Sequence, residues 1–342
     1  MINVGVVGCG YWGPNLIRNF VSSDDTEPLW VCDQDKRQLD KAMGPYPNIK
    51  RTTDLSDILF DNKVDAVAIA TPVHTHFPIA KACLENGKHV LLEKPLASSV
   101  KQGEELLCLA SEKKLTLMCD HTFCYTGVVR KIKEIVSSGM LGDILYFDSV
   151  RINLGLFQQD VNVIWDLAPH DISILNYIIG ERPITVSAQG VCHAGNGIEN
   201  IAYVSLGYSN NFIAHLHVNW LSPVKIRKTI IGGSEKMLVW NDLEPAEKIK
   251  VYDKGITVRQ QEQNERNRLL VSYRSGDMYA PCVDHTEALS LMVSEFAASI
   301  KENRPALTDG KAGLEVLRIL EAAQISIKSN GATVGIMDLE VL

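Results

Sequence analysis

The chain has 342 residues, 46% of them hydrophobic and 22% charged. At roughly 100–200 residues per domain, this length predicts about two domains, each able to bury a core without disulfide staples. The 34 basic and 41 acidic residues leave a net charge of −7, which argues against a general affinity for nucleic acid or anionic membrane.

Eight cysteines occur without a CxxC pair and read as reduced, mostly buried thiols. No run approaches about 18 consecutive apolar residues, so no membrane-spanning segment is expected. Met1-Ile2-Asn3 leads straight into strand-like sequence with no room for a signal peptide, and the expected location is the cytoplasm. Neither a short repeat nor a low-complexity tract is present.

In chain order, Ile2–Val7 is a β-branched run predicted as a strand, followed by GCGYWGPNLIRNF. Leu29–Cys32, Val64–Ala70, His89–Leu92 and Leu115–Met118 are further short apolar strands. Between them, Thr75–Asn86 has helical spacing with Gly87 as a left-handed cap, and Ser98–Lys113 forms another helix. Strands of continuous hydrophobicity separated by helices predict a parallel sheet covered on both faces. The expected first domain is a doubly wound α/β unit over residues 1–121.

From residue 144 the texture changes. Ile144–Asn153, Ile184–His193, Ala202–Tyr208, Phe212–Trp220, Arg227–Gly232, Met237–Asn241 and Ile249–Asp253 are predicted strands. Phe212, Ala214, Leu216, Val218 and Trp220 alternate with His215, His217 and Asn219, so this sheet has two chemically different faces. Helices are expected over Thr126–Ser138, Leu167–Ile179, Thr286–Glu302 and Lys311–Ser329. The second domain, residues 122–342, is therefore α+β with a large, open, mostly antiparallel sheet. The mixed-charge run Arg259–Arg268 is read as a solvated loop.

Gly8, Gly10 and Gly13 form G-x-G-x-x-G between a strand and a helix. Such glycines permit a tight turn, close approach of a pyrophosphate and close helix–strand packing, with helix amides facing the phosphates. Asp33 ends the second strand 20 residues after Gly13, where a carboxylate binds a ribose 2′-hydroxyl and repels a 2′-phosphate. NAD is expected over NADP, although Lys36 and Arg37 could tolerate a phosphate. Tyr11 and Trp12, bulky for such a loop, are candidates to pack over the cofactor. Thr71-Pro72 and Glu93-Lys94-Pro95 end strands at the carboxyl edge of the sheet, where open α/β folds bind ligands.

GVVGCGYWG, TPVHTHFPIAKACLENGKHVLLEKPLA, DLAPHDISIL and NRPALTDGKAGLEVLRILEAA together resemble the Gfo/Idh/MocA oxidoreductase family, nearly end to end. The resemblance implies a Rossmann domain plus an open-sheet domain, and redox chemistry on sugars, cyclitols or sugar nucleotides. It places the catalytic lysine on Lys94 and the D-x-x-x-H element on Asp166 and His170. Tyr11, Trp12, Thr71, Pro72, His76, Glu93 and Lys94 join the three glycines and Asp33 as cofactor-binding candidates. The family's usual pairing through open sheets implies a homodimer or homotetramer.

Spacing of four sets Asp166 and His170 on one face of a helix expected to begin around Asp166, with Pro169 in its first turn. Asp166 could equally be that helix's N-cap. In the expected reaction neutral His170 accepts a hydroxyl proton, Lys94 stabilises the developing alkoxide and Asp166 orients His170, while hydride passes to nicotinamide. No metal is expected, because Cys119, His121 and Cys124 offer three ligands without an evident fourth.

The loop and segment similarities favour a nucleotide-linked sugar as substrate, such as a UDP-hexuronate oxidised at position 3. Besides Lys94 and His170, Arg151, Asn153 and Tyr279 are candidate substrate residues by position alone. Alternatives are an inositol or free-sugar dehydrogenase, an NADPH-dependent ketosugar reductase and, in another class, a non-catalytic NAD-binding regulator.

Overall fold

A computed structural model describes residues 1–155, 161–193, 197–259 and 270–336. Nearly all of the mixed-charge run Arg259–Arg268 lies outside the described residues.

The first stretch alternates strand and helix: β1 (Ile2–Val7), α1 (Gly13–Ser22), β2 (Thr26–Cys32), α2 (Lys36–Met43), β3 (Lys50–Thr52), α3 (Ser56–Leu59), β4 (Ala66–Ile69), α4 (Val73–Glu85), β5 (His89–Glu93), α5 (Val100–Lys113) and β6 (Leu117–Asp120). Next come α6 (Gly127–Ser137), β7 (Ile144–Leu154), α7 (Val163–Ile179), β8 (Thr185–Val191), β9 (Ile201–Gly207), β10 (Ile213–Asn219), β11 (Leu221–Gly233), β12 (Met237–Asn241), β13 (Ile249–Arg259) and β14 (Leu270–Tyr279). The chain closes with α8 (Ala288–Glu302), α9 (Gly310–Lys328) and β15 (Val334–Gly335). No helix among the described residues is long and apolar enough to cross a membrane.

The chain divides into two compact units. One holds residues 1–126 with 285–321, the other 127–284 with 322–342. The units divide after residue 126, close to the expected 121/122, and residues 285–321, expected in the second domain, pack in the first unit. Arg18 on α1 donates twice to Glu287, the residue before α8, and Leu314 and Leu317 of α9 press against Gly103 of α5. Periodicity shows that a helix has an apolar face but not which sheet that face will cover.

The first unit is a six-stranded parallel sheet in the order β3-β2-β1-β4-β5-β6. Its central strands are buried along their length, as continuous apolar runs require when helices cover both faces. Helix α1 buries Leu16, Ile17 and Phe20, and Ser99 caps α5 by accepting from the amide of Gln102. The short edge strand β3 is the one sequence reading missed, since Lys-Arg-Thr has no apolar signal.

The second unit is a nine-stranded sheet in the order β14-β13-β12-β11-β7-β10-β9-β8-β15. Every pair is antiparallel except β7 with β10, which run parallel with Ile213 opposite Tyr146. Helix α7 packs on β7, β9 and β10, and Ala214, Leu216, Val218 and Trp220 are buried. His215 and His217 alternate with them on the opposite face, as the period of two predicts.

Candidate active site

In the first unit the turn from Gly8 to Gly13 links β1 to α1. Gly8 has φ +99°, and a Cβ there would meet the Ala70 carbonyl oxygen at 2.5 Å; one at Gly13 would meet the Gly8 carbonyl oxygen at 2.0 Å. Neither position can carry a side chain. A Cβ at Gly10 would instead find nothing nearer than Gln38 Oε1 at 4.0 Å, so the backbone there is open to approach. No side chain caps the N-terminus of α1. Asp33 Oδ2 accepts from the Cys9 amide at 2.6 Å and Oδ1 from the Asp35 amide at 2.8 Å, which fixes the carboxylate beside the turn. The open glycine, the uncapped helix and the adjacent carboxylate fit a dinucleotide.

The two aromatic residues of the turn part company. Tyr11 is 91% exposed, whereas Trp12 points inward and donates from Nε1 to Asp120 Oδ2 at 2.9 Å.

Thr71, Glu93 and Lys94 lie at the carboxyl edge of the same sheet, where the strand order reverses between β1 and β4. Thr71 Oγ1 accepts from Thr75 Oγ1 at 2.7 Å in the first turn of α4, and Pro72 precedes that helix. The Lys94–Pro95 peptide is cis, and the Lys94 amide donates to Glu93 Oε2 at 2.9 Å. Burial and the neighbouring Asp120 push the Glu93 carboxyl well above the usual carboxylate range. The positive charge of Lys94 reaches Glu93, His76 and His121.

His76 does not present its ring to a ligand. It is 1% exposed, with Nδ1 2.9 Å from the Pro95 carbonyl and Nε2 2.8 Å from the Thr71 carbonyl. Burial lowers its pKa, and the neutral ring, with one N–H, clamps the ends of two strands. Its expected place beside the cofactor is thereby corrected to a structural one.

In the second unit, α7 begins four residues earlier than expected. Asn162 is the N-cap, and its Oδ1 accepts from the amides of Ile164 and Trp165, each at 3.1 Å. Asp166 is accordingly not the cap but a first-turn acid, and Pro169 lies in the second turn. Trp220 Nε1 donates to Asp166 Oδ2 at 3.0 Å. His170 follows one turn later on the same helix.

The three candidate substrate residues do not converge. Arg151 is 4% exposed and holds Asp171 of α7 through Nε at 2.7 Å and Nη2 at 3.0 Å, with Ser149 Oγ donating to the same carboxylate. Its guanidinium is part of the packing between β7 and α7, which corrects its expected contact with substrate. Asn153 is half-buried two residues further along β7. Tyr279 sits on edge strand β14, four strands from β7, about 19 Å across the sheet at normal strand spacing. Its hydroxyl donates to Met140 Sδ at 2.6 Å.

Sequence reasoning missed Asp120, Trp220 and Asp171. Each is an acid or indole inside an apolar stretch, and the detectable signal is a polar group where a strand or helix buries its neighbours. Among the described residues no cluster of three or more His, Cys, Asp or Glu could hold a metal; Cys119, His121 and Cys124 are all buried.

Known proteins share this architecture. Residues 2–121 match the oxidoreductase family with an NAD-binding Rossmann fold, and residues 129–239 match the GFO/IDH/MocA C-terminal domain. An uncharacterised oxidoreductase of Streptococcus pneumoniae is 29% identical over 63% of this chain and 62% of its own length. The UDP-N-acetylglucosamine 3-dehydrogenase of Acidithiobacillus ferrooxidans is 24% identical over 78% of this chain and 80% of that relative. Its solved structure superposes with a TM-score of 0.79 at 22% identity, covering 96% of this chain and 98% of that one, a likeness of fold. The scyllo-inositol 2-dehydrogenase (NADP(+)) of Bacillus subtilis is 23% identical over 96% of this chain and 94% of that relative. With both of its halves matched, the chain belongs to the GFO/IDH/MocA oxidoreductase family.

Proposed function

We propose that the protein is an NAD-dependent dehydrogenase acting on a secondary alcohol of a nucleotide-linked sugar, such as a UDP-hexuronate at position 3. The observation that carries the redox reading is the shared sheet edge. The open glycine turn, Asp33 and Lys94 all stand at the carboxyl ends of β1, β2 and β5 of one parallel sheet. Nicotinamide supplies the hydride acceptor when bound. The Gly8–Gly13 turn and the amides of α1 hold the dinucleotide phosphates, and Asp33 takes the adenosine ribose. Preference for NAD rests on that carboxylate, which repels a 2′-phosphate.

Lys94 stabilises negative charge developing on the substrate oxygen, an interaction stronger in the transition state than in the ground state. His170, neutral at working pH, accepts the hydroxyl proton, and Asp166, held by Trp220, orients it. Thr71 and Pro72 form the cofactor side of the strand-β4 edge. Asn153 retains a candidate substrate contact.

Support for a nucleotide sugar comes from the UDP-N-acetylglucosamine 3-dehydrogenase relative. A cyclitol is the second reading, favoured by the scyllo-inositol dehydrogenase match along 96% of this chain. Thermal shift with NAD present separates them by mass-action stabilisation. UDP-linked hexuronates should raise the melting temperature while myo-inositol and free glucose do little, and the reverse ranking selects the cyclitol reading. We place the enzyme in the cytoplasm as a homodimer or homotetramer joined through the sheet face that carries exposed Tyr203 and Ile213. Sedimentation of a single monomeric species at micromolar concentration would reject that assembly.

A further inference from the structure

The carboxyl edge of the six-stranded sheet holds two acids side by side. Glu93 and Asp120 are register partners at the ends of β5 and β6, close enough for each carboxyl group to act on the other. Two carboxyl groups can share a hydrogen bond only when one of them carries a proton. Asp120, 2% exposed, accepts from Trp12 Nε1 at 2.9 Å, from the Thr122 amide at 3.1 Å and from the Thr122 hydroxyl. Both oxygens of Asp120 are therefore engaged as acceptors. Glu93 accepts the Lys94 amide on Oε2, which suits a protonated acid with a carbonyl oxygen facing one way and a hydroxyl the other.

The surroundings balance one negative charge and not two. Among the described residues Lys94 is the cation that reaches the pair. Cys119 on β6 and His121 just after it flank Asp120 and are buried and neutral: His121 is pushed down to about 4 by burial and Lys94, and burial raises the Cys119 thiol. A second carboxylate would stand uncompensated in a poorly solvated site, a costly arrangement.

We infer that Glu93 and Asp120 hold one proton between them, carried by Glu93, and that this singly charged pair is a positioning element tying Trp12 of the glycine turn to Lys94. Its catalytic meaning rests on the proposed role of Lys94. A change in the charge of the pair reaches both the phosphate-binding turn and the lysine, although neither acid touches substrate.

Counting the charge tests this. Glu93→Gln keeps the Asp120 carboxylate, and Asp120→Asn frees Glu93 to ionise in its place, so each single variant keeps one negative charge. Only Glu93→Gln/Asp120→Asn removes it. In the full-length chain without cofactor, acetylation of Lys94 by acetic anhydride, read by peptide mass spectrometry at about pH 8, should proceed within about twofold of normal in both single variants. In the double variant it should be about tenfold faster, the effect of losing one close opposite charge. A single variant as fast as the double would overturn the shared proton.

Infrared titration of the unmodified protein guards against variants that do not fold. A protonated carboxyl stretch should persist through neutral pH, and its absence would also overturn the pair. With 5-fluorotryptophan incorporated and Trp12 assigned through Trp12→Phe, the Trp12 resonance should move in Asp120→Leu; an unmoved resonance cuts Trp12 from the pair. These readouts need neither substrate nor cofactor. The charge count can hold while the dehydrogenase assay fails, which would reject the proposed function alone. Once a substrate is in hand, the double variant should shift the pH profile of kcat/KM to lower pH and the single variants should not.

Discussion

The indole of Trp220 donates to the carboxylate of Asp166 at 3.0 Å, from the end of β10 into the first turn of α7. Trp220 is 1% exposed, so the donor is held by packing before any ligand arrives. A hydrogen bond to a charged group contributes about 1.5–3 kcal/mol, enough to set the orientation of the acid beside His170. Trp220→Phe keeps most of the buried ring and deletes the donor. Turnover is expected to fall about tenfold with KM nearly constant, as for an interaction that orients a proton acceptor. Unchanged kcat would mean that Asp166 does not act through its orientation.

Arg151 and Asp171 give a second test, of packing. Both side chains are about 95% buried and meet through two hydrogen bonds. Arg151→Met leaves Asp171 charged and uncompensated, and should cost about 3–5 kcal/mol of unfolding free energy in urea. Arg151→Met/Asp171→Leu should recover most of that loss, because an apolar pair satisfies the same space. A stable Arg151→Met protein that has lost substrate affinity would return Arg151 to the binding site.

These two pairs show where sequence reading stops. The glycine turn, Asp33 and Lys94 were legible because each lies within a few residues of a strand end, and local chain direction fixes their placement. Continuous against alternating hydrophobicity separated the parallel sheet from the open one for a similarly local reason. Arg151 with Asp171, Trp220 with Asp166, and Trp12 with Asp120 are long-range pairs, and no single-chain periodicity encodes which buried polar group meets which. The start of α7 is poorly marked in the sequence, since its cap Asn162 precedes an apolar run and Asp166 is the more familiar capping signal. The resemblance makes His76 a cofactor candidate, but the carbonyls that enclose it come from Thr71 and from Pro95, 19 residues on, a long-range contact.

Acid stability should report on His121. Its ring is 1% exposed, neither nitrogen has a hydrogen-bond partner among the described residues, and burial with the Lys94 charge lowers it from 6.5 to about 4. Between those values the unfolded chain binds a proton that the folded chain refuses, so stability is lost as pH falls through this window. The loss attributable to His121 is about 3 kcal/mol at pH 4. Replacing it as His121→Phe should flatten the difference in unfolding free energy between pH 7 and pH 4 by that amount. Parallel pH curves for the two proteins would show that the ring is accommodated in its charged form.

The proposed cofactor choice turns on Asp33. Its carboxylate is held beside the glycine turn by the Cys9 and Asp35 amides, where its charge opposes a 2′-phosphate. Fluorescence titration should give tighter binding of NADH than of NADPH, and Asp33→Ser should narrow the gap by removing the repulsion. Equal affinities in the unmodified protein would overturn the NAD assignment.

The sharpest test of catalysis separates chemistry from cofactor binding. His170→Asn keeps the size and much of the hydrogen bonding of the ring but removes the titratable base, and leaves Gly8, Gly10, Gly13 and Asp33 untouched. Cofactor affinity should stay nearly constant while turnover falls by about 10²-fold or more, the usual contribution of a positioned base. Lys94→Met should lower turnover by a similar factor by deleting the charge that stabilises the developing alkoxide. Together the two changes should cost much less than the product of their separate effects if, as proposed, base and cation serve one transition state. Full additivity would mean that they act in different steps. Normal turnover of both variants would leave Asp166 and His170 as members of a capped structural helix, and the dehydrogenase chemistry would have to be sought elsewhere along the sheet edge.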